Sequence, residues 1–266
     1  MLLAQAITRP GRRLGHTVLV EAETGSTNDE LRGRAEAGAP EGLVLVAEAQ
    51  TRGRGRLGRQ WVSPAGKNLL MSVLLRPRWS AEHSFRITLL AGVAVSETLK
   101  KLYGLEPRIK WPNDVLIRDR KLCGILAEMK ATAAEVDYIV LGIGVNLNLR
   151  PEELPEELRA SATSVGAELG RPIAREEFAR SLLEALEARY LSLEQGRWLE
   201  VLEAWHRWAA IQGQEVTVET GSGLIHGPVQ GVDEDGALRV FDRQTQSESR
   251  ILAGDVQYLR PAKPSP

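Results

Sequence analysis

The sequence predicts an α/β domain followed by a small β-barrel module. Apolar runs of strand length at residues 43–49, 69–75 and 138–149 alternate with amphipathic helical patterns at 85–102, 174–193 and 198–209. After Ile211 the pattern changes to short β segments at 215–219, 229–232, 237–241 and 249–251, separated by Gly221, Gly223, Asp235-Gly236 and Gly254. Four or five strands of this length make a barrel of about fifty residues.

The first strand spans residues 17–22, and Ser26-Thr27-Asn28 follows it ahead of Asp29, Glu30 and Leu31. Taken alone, this triplet reads as the cap of a short helix with acidic residues in its first turn. Three small hydrogen-bonding side chains at a strand-to-helix junction also suit a polar ligand group. The buried strand at 43–49 then opens into Gln50-Thr51-Arg52-Gly53-Arg54-Gly55-Arg56-Leu57-Gly58-Arg59-Gln60-Trp61. Guanidinium forks match phosphate or carboxylate oxygens, and glycine allows close backbone approach and positive φ, so this loop is a candidate anion site that closes over its ligand. A solvated linker fits less well, because strands bound the loop on both sides.

Residues 85–102 form a scaffold helix with Lys100 and Lys101 near its C-terminus, where the dipole favours them. Lys110-Trp111-Pro112-Asn113-Asp114 comes next, then a short strand at 115–117, a turn at Arg118-Asp119-Arg120, and Lys121-Leu122-Cys123-Gly124-Ile125. Such a hairpin brings Asn113, Asp114 and Lys121 into one small volume. In Gly142-Ile143-Gly144-Val145-Asn146 two glycines leave little bulk on one strand face. The third glycine and the acidic residue of a dinucleotide fingerprint are missing, which excludes a Rossmann reading. Residues 151–157 read as a loop and 161–169 as a short helix ending at Gly170, and the tryptophans of 198–209 read as core.

Composition narrows the function classes. Lys plus Arg number 34 against 35 acidic residues, so the arginine loop is a local feature and a general nucleic-acid binder is disfavoured. The lone Cys123 excludes an intramolecular disulfide, and His16, His83, His206 and His226 have no metal-ligand spacing, so no structural zinc is expected. No apolar run approaches the roughly 18 residues of a membrane span and no signal peptide opens the chain, which reads as cytoplasmic.

Together, Ser26-Thr27-Asn28, Gln50, Gly53-Arg54-Gly55-Arg56-Leu57-Gly58-Arg59 with Trp61, Lys110-Trp111-Pro112-Asn113-Asp114, Lys121-Leu122-x-Gly124-Ile125 and Gly142-x-Gly144-x-Asn146 resemble the biotin protein ligases in order and separation. The resemblance runs from about residue 17 to 259. It implies a mixed β-sheet backed by helices over residues 1–211, an SH3-like barrel over 212–260, and a disordered tail at 261–266. It further implies that biotin and MgATP give biotinyl-5′-adenylate, whose acyl group passes to a lysine of a biotin carboxyl carrier domain. By similarity Arg54 and Lys121 are catalytic, at the junction of carboxylate and α-phosphate. Ser26, Thr27, Asn28, Gln50, Gly53, Gly55, Arg56, Gly124 and Gly144 join them around biotin. Arg56, Arg59, Trp61, Asn113, Asp114 and Asn146 join them around ATP, with Asp114 the candidate Mg2+ ligand. Fewer than thirty residues precede Ser26, so a monofunctional enzyme without DNA binding is expected, and homodimerisation is within the family's repertoire. A lipoate ligase of the same superfamily and a non-enzymatic nucleic-acid-binding protein are the rival readings.

Overall fold

A computed structural model describes residues 1–132, 135–221, 223–252 and 254–258; the expected disordered tail lies outside the described residues. In chain order the elements are α1 (Ala4–Ile7), β1 (Thr17–Glu21), α2 (Thr27–Glu36), β2 (Leu43–Ala47), β3 (Leu69–Leu75), α3 (Phe85–Tyr103), β4 (Arg108–Lys110), β5 (Asp114–Ile117), β6 (Arg120–Ala131) and β7 (Val136–Val145). They continue with α4 (Glu156–Arg159), α5 (Val165–Leu169), α6 (Arg175–Glu194), α7 (Trp198–Ala209), β8 (Glu215–Thr220), β9 (Gly223–Val232), β10 (Leu238–Asp242), β11 (Ser247–Ile251) and β12 (Asp255–Tyr258).

Strands β1 to β7 form one mixed sheet in the order β1-β2-β3-β7-β6-β5-β4. Only β1 and β2 pair in parallel, and α2 supplies the crossover that a parallel pair requires. The runs read from sequence as continuous apolar strands are buried on both faces, which is why they show no polar alternation. Val44 and Val46 of β2, Met71 and Val73 of β3, and Leu141 and Ile143 of β7 enter the large core beneath α3, α6 and α7. Leu43, Leu45, Leu74, Tyr138 and Val140 point the other way and pack with Leu31 and Ala35 of α2. Because side chains alternate along a strand, Ser72, Gly124, Leu126, Gly142 and Gly144 fall on this second face as well.

The tight hairpin is present: Ile117 pairs with Arg120, and Arg118 and Asp119 hold φ of 49° and 63°. That left-handed pair is the geometry a two-residue connection needs. Strands β8 to β12 form the expected second sheet, in the order β11-β10-β9-β8-β12 and antiparallel throughout. This second sheet packs directly against the first unit, since Val216, Val229, Leu238 and Val256 belong to the same continuous core as α3 and α7. The stretch at 151–157 is not a plain loop, for it holds a 3-10 turn at Pro151–Glu153 and the start of α4. Its prolines sit at the starts of these turns, where a missing N–H costs nothing. Among the described residues no helix is long and apolar enough to cross a membrane.

The first sixteen residues are more ordered than their sequence pattern indicates. Leu2, Ile7 and Leu14 are buried, and the Arg9 guanidinium, 6% exposed, pairs with Glu187 of α6 at 2.7 Å. Glu187 also accepts the backbone N–H groups of Arg13 and Leu14. Burial alone would raise the Glu187 pKa, but these N–H groups and Arg9 outweigh it and hold the carboxyl below its ordinary 4.5. Its stabilising effect is therefore complete above the unfolded-state pKa of about 4.3 and is lost as pH falls through the lower folded value. Glu187→Ala is expected to destabilise the fold by about 3–5 kcal/mol, since Arg9 is left buried without its partner. Urea titrations from pH 3 to 7 check both points, with Glu187→Gln expected to flatten the acid limb of the wild-type profile.

Candidate functional site

A cavity of about 310 Å³ opens on the α2 side of the sheet, between the arginine loop, the β5–β6 hairpin and β7. Its size suits a small organic ligand. The floor is a row of cross-strand neighbours: Asp114 on β5 pairs with Gly124 on β6, Gly124 with Gly144 on β7, and Gly144 with Leu70 on β3. Two central positions of this row have no side chain, so the Trp61 indole lies directly on the backbone. A Cβ at Gly124 would stand 2.8 Å from the ring and one at Gly144 would stand 2.7 Å from it. Nε1 of Trp61 is buried and has no hydrogen-bond partner among the described residues. Gly142 plays the same part for Asn28, whose Oδ1 would meet an added Cβ at 2.3 Å.

One end of the cavity is an uncharged hydrogen-bonding network. Ser26 stands at the N-cap of α2, yet its side chain makes no cap bond. Gln50 takes over part of that task, its Oε1 accepting the Thr27 N–H at 2.7 Å and the Thr27 hydroxyl at 3.0 Å. The Ser72 hydroxyl lies 2.6 Å from Asn28 Oδ1 and 2.8 Å from Thr27 Oγ1, with a single proton to share between them. Asn28 donates to Glu128 at 2.7 Å and to the Leu126 carbonyl at 3.2 Å. These side chains are oriented by one another before any ligand arrives.

The other end is cationic. Lys121 Nζ stands 2.8 Å from Asp114 Oδ1, an ion pair whose angle falls outside hydrogen-bond alignment, and 5.5 Å from the centre of the Trp61 ring. Arg56 reaches Asn113 Oδ1 at 3.4 Å and the Gly254 carbonyl at 3.5 Å. Arg54 is turned outward, to Asp29 at 2.7 Å and Glu128 at 3.1 Å. Asn113 is itself locked to β6, accepting from the Ile125 N–H and donating to the Ile125 carbonyl. The arginine loop folds back on itself through Gly55 N–H to Arg59 O and Trp61 N–H to Gly53 O. Positive φ falls at Leu57 (55°) and Gly58 (74°), not at Gly55, which is extended at −112°.

Two segments match family models: residues 22–146 match the Biotin/lipoate A/B protein ligase family, and 211–257 match the Biotin protein ligase C terminal domain. A biotin–[acetyl-CoA-carboxylase] ligase of Mycobacterium tuberculosis is 37% identical over 91% of this chain and 88% of its own length. One from Paracoccus denitrificans is 36% identical over 82% of this chain and 91% of its own. A structure described as biotin protein ligase from Aquifex aeolicus in complex with biotin and ATP superposes with a TM-score of 0.78 at 30% identity, covering 92% of this chain and 99% of that one. The chain belongs to the biotin protein ligase family.

Nearly every position singled out from the ligase motifs lines this one cavity, from Ser26, Thr27, Asn28 and Gln50 through Arg54, Gly55, Arg56, Arg59 and Trp61 to Asn113, Asp114, Lys121, Gly124, Gly144 and Asn146. Gly53 is outside the lining. It is buried behind the loop, where a Cβ would lie 2.7 Å from the Trp61 carbonyl, so it shapes the loop without facing the cavity. Asn146 reaches the wall with its carboxamide already engaged, accepting from Asn68 at 3.2 Å and donating to the Thr163 carbonyl at 3.0 Å. Among the residues that sequence reasoning missed are Ser72, Leu126, Leu154, Leu158 and Gly254, of which all but Ser72 line the cavity, as do Val62, Leu70, Met71, Ser161 and Ala162. Only strand alternation through β3 and β6 carried a signal for Ser72 and Leu126. Cys123 is fully buried, and burial pushes its thiol well above the ordinary range.

Gly144→Ala is expected to lift the indole from its platform while destabilising the fold by only about 1–3 kcal/mol. Acrylamide quenching of Trp61, taken as the difference between each protein and its Trp61→Phe counterpart, should rise. Unchanged quenching would mean that the ring does not rest on the glycine row.

Proposed function

We propose that this chain activates biotin with MgATP and transfers it to a lysine of a biotin carboxyl carrier domain, with residues 1–211 as the catalytic unit and 212–260 as its C-terminal module. The observation that carries this reading is that a single cavity joins a neutral hydrogen-bonding end to a cationic end across a floor without side chains. A bicyclic urea such as biotin needs donors and acceptors without charge, which Ser26, Thr27 and Gln50 supply. Its carboxylate and the phosphates of ATP need cations, which Lys121, Arg56 and Arg59 supply. The Aquifex aeolicus protein described with biotin and ATP supports the same pair of ligands.

In the first step a biotin carboxylate oxygen attacks the α-phosphorus of ATP and pyrophosphate leaves. Negative charge builds on the phosphate oxygens, and preorganised cations aimed at them lower the barrier. Lys121 and Arg56 are fixed by Asp114 and Asn113, so little reorganisation is needed at the moment of reaction. Arg54 is held by Asp29 and Glu128 and reaches the junction on exchanging those carboxylates for the incoming ones. In the second step the carrier lysine amine attacks the acyl carbonyl of biotinyl-5′-adenylate, and AMP leaves. Mg2+ is characteristically held by one or two carboxylates together with substrate phosphates and water, and Asp114 is a carboxylate on the cavity floor that would hold it. The ion would neutralise phosphate charge.

Lys121→Ala is expected to retain the fold and lose adenylate formation by about 100- to 1,000-fold. Biotin-dependent exchange of pyrophosphate into ATP measures this, and a near-normal rate would remove Lys121 from the reaction. Native mass spectrometry of the wild-type chain with MgATP and either biotin or lipoate should show retained biotinyl-adenylate only. Retention of the lipoyl adenylate instead would transfer the chain to the lipoate ligases.

A further inference from the structure

Trp111 belongs to the motif that delivers Asn113 and Asp114, yet it does not face the cavity. It is 1% exposed and packs against Phe85 of α3 with ring centres 6.3 Å apart. Its indole N–H donates at 3.0 Å to the carbonyl of Gly236, 125 residues away in the turn between β9 and β10. Gly236 holds φ of 86°, and a Cβ there would fall 2.2 Å from Phe85 Cδ1. Any larger residue is therefore opposed both by backbone strain and by contact with a buried ring. The turn that presents this carbonyl is itself braced. Gly236 donates its N–H to Asp233 O and Asp233 donates to Ala237 O, both at 2.9 Å. Arg250 pairs with Asp233 at 2.6 Å and with Asp235, and Arg239 pairs with Asp233 at 2.9 Å.

On the sheet side the need for an anchor is evident. β4 is three residues long, lies at the sheet edge, and is followed directly by the turn that carries Trp111 and Asn113 into β5. A short edge strand and its turn are the part of a sheet that opens most readily. Asn113 and Asp114 depend on that turn for their placement against Ile125 and Lys121. The second tie between the module and the site is the Gly254 carbonyl, 3.5 Å from Arg56 Nη1.

We propose that Gly236 and Trp111 are positioning residues for the nucleotide half of the site, the C-terminal module fixing the turn that bears Asn113 and Asp114 through one buried carbonyl. This rests on the ligase reading above and adds to it a route by which the second sheet sets the geometry of the first step without touching substrate. The biotin half, built on α2, β2 and β3, has no part in this contact. The two halves are therefore expected to respond differently.

The test uses the full chain and three variants. Trp111→Phe keeps the ring and removes the N–H, Gly236→Ala disturbs the carbonyl from the module's side, and Arg250→Ala loosens the turn from an exposed position. Biotin affinity is read by calorimetry, and KM for ATP and kcat by biotin-dependent pyrophosphate exchange. Misplacing a site residue by about 1 Å can cost about 100-fold, so Trp111→Phe and Gly236→Ala should lose about 10- to 100-fold in kcat/KM for ATP. Biotin affinity should stay within about twofold, as expected where no contact to that ligand changes. Arg250→Ala should shift the same way by a smaller factor, and it decides the matter if the buried variants fold poorly. Hydrogen exchange across residues 111–117 should quicken in all three while β2 and β3 keep their protection. Unchanged ATP parameters in folded variants, or a parallel loss of biotin affinity, would overturn the proposal. An absence of biotin-dependent exchange in the wild type would instead overturn the ligase reading on which it stands.

Discussion

The structure depends on a sheet that is packed to capacity on one face and stripped of side chains at selected points on the other. Strand alternation makes the two faces independent, because neighbouring residues along β3, β6 and β7 point in opposite directions. Ile125, Ile143 and Val145 seal the large core while Gly124, Gly142 and Gly144, one residue removed in each case, leave backbone for Trp61 and Asn28 to lie on. A one-residue slip in register would exchange these sets and destroy core and cavity together. The core thus holds the register, and the register holds the site.

Charge is distributed by the same logic. The neutral side chains Thr27, Gln50, Ser72 and Asn28 are buried or half-buried and are satisfied by one another together with Glu128 and the Leu126 carbonyl, as a polar cluster against a packed sheet must be. The cations stand nearer the mouth, each beside a carboxylate or an amide oxygen: Lys121 with Asp114, Arg54 with Asp29 and Glu128, Arg56 with Asn113. A solvent-accessible ion pair such as that of Arg54 holds its partners by about 0–1 kcal/mol, so an incoming phosphate or carboxylate can displace Asp29 and Glu128 at small cost. Leu57, exposed and left-handed at the loop tip, marks the point where the chain leaves its comfortable conformations to bring Arg56 and Arg59 back over the cavity.

The C-terminal sheet changes meaning once its contacts are known. Its β pattern and glycine-punctuated turns described a self-contained barrel, and the strands did form as a second sheet. Its core, however, runs on into that of the first sheet, and its two glycine carbonyls at positions 236 and 254 reach Trp111 and Arg56.

What the sequence by itself determined was local. Periodicity located most strands and long helices because burial on one or two faces imposes it, and the two-residue turn at Arg118-Asp119 brought Asp114 and Lys121 together without any long-range contact. Motif order then named most of the polar and charged side chains that line the cavity. What only the tertiary structure decided was long-range. The N-terminal residues have no strand or helix assigned from sequence, and their placement is set by Glu187, more than 170 positions away, which pairs with Arg9 and accepts the backbone N–H groups of Arg13 and Leu14. Ser72 reads as one more residue of an apolar strand until β3 settles beside β7 and opposite α2. Trp111 reads as part of a site until Gly236 takes its N–H. In each case the partner is distant along the chain and chosen by how sheets and helices pack, and pairing of that kind leaves no period or spacing in a single sequence.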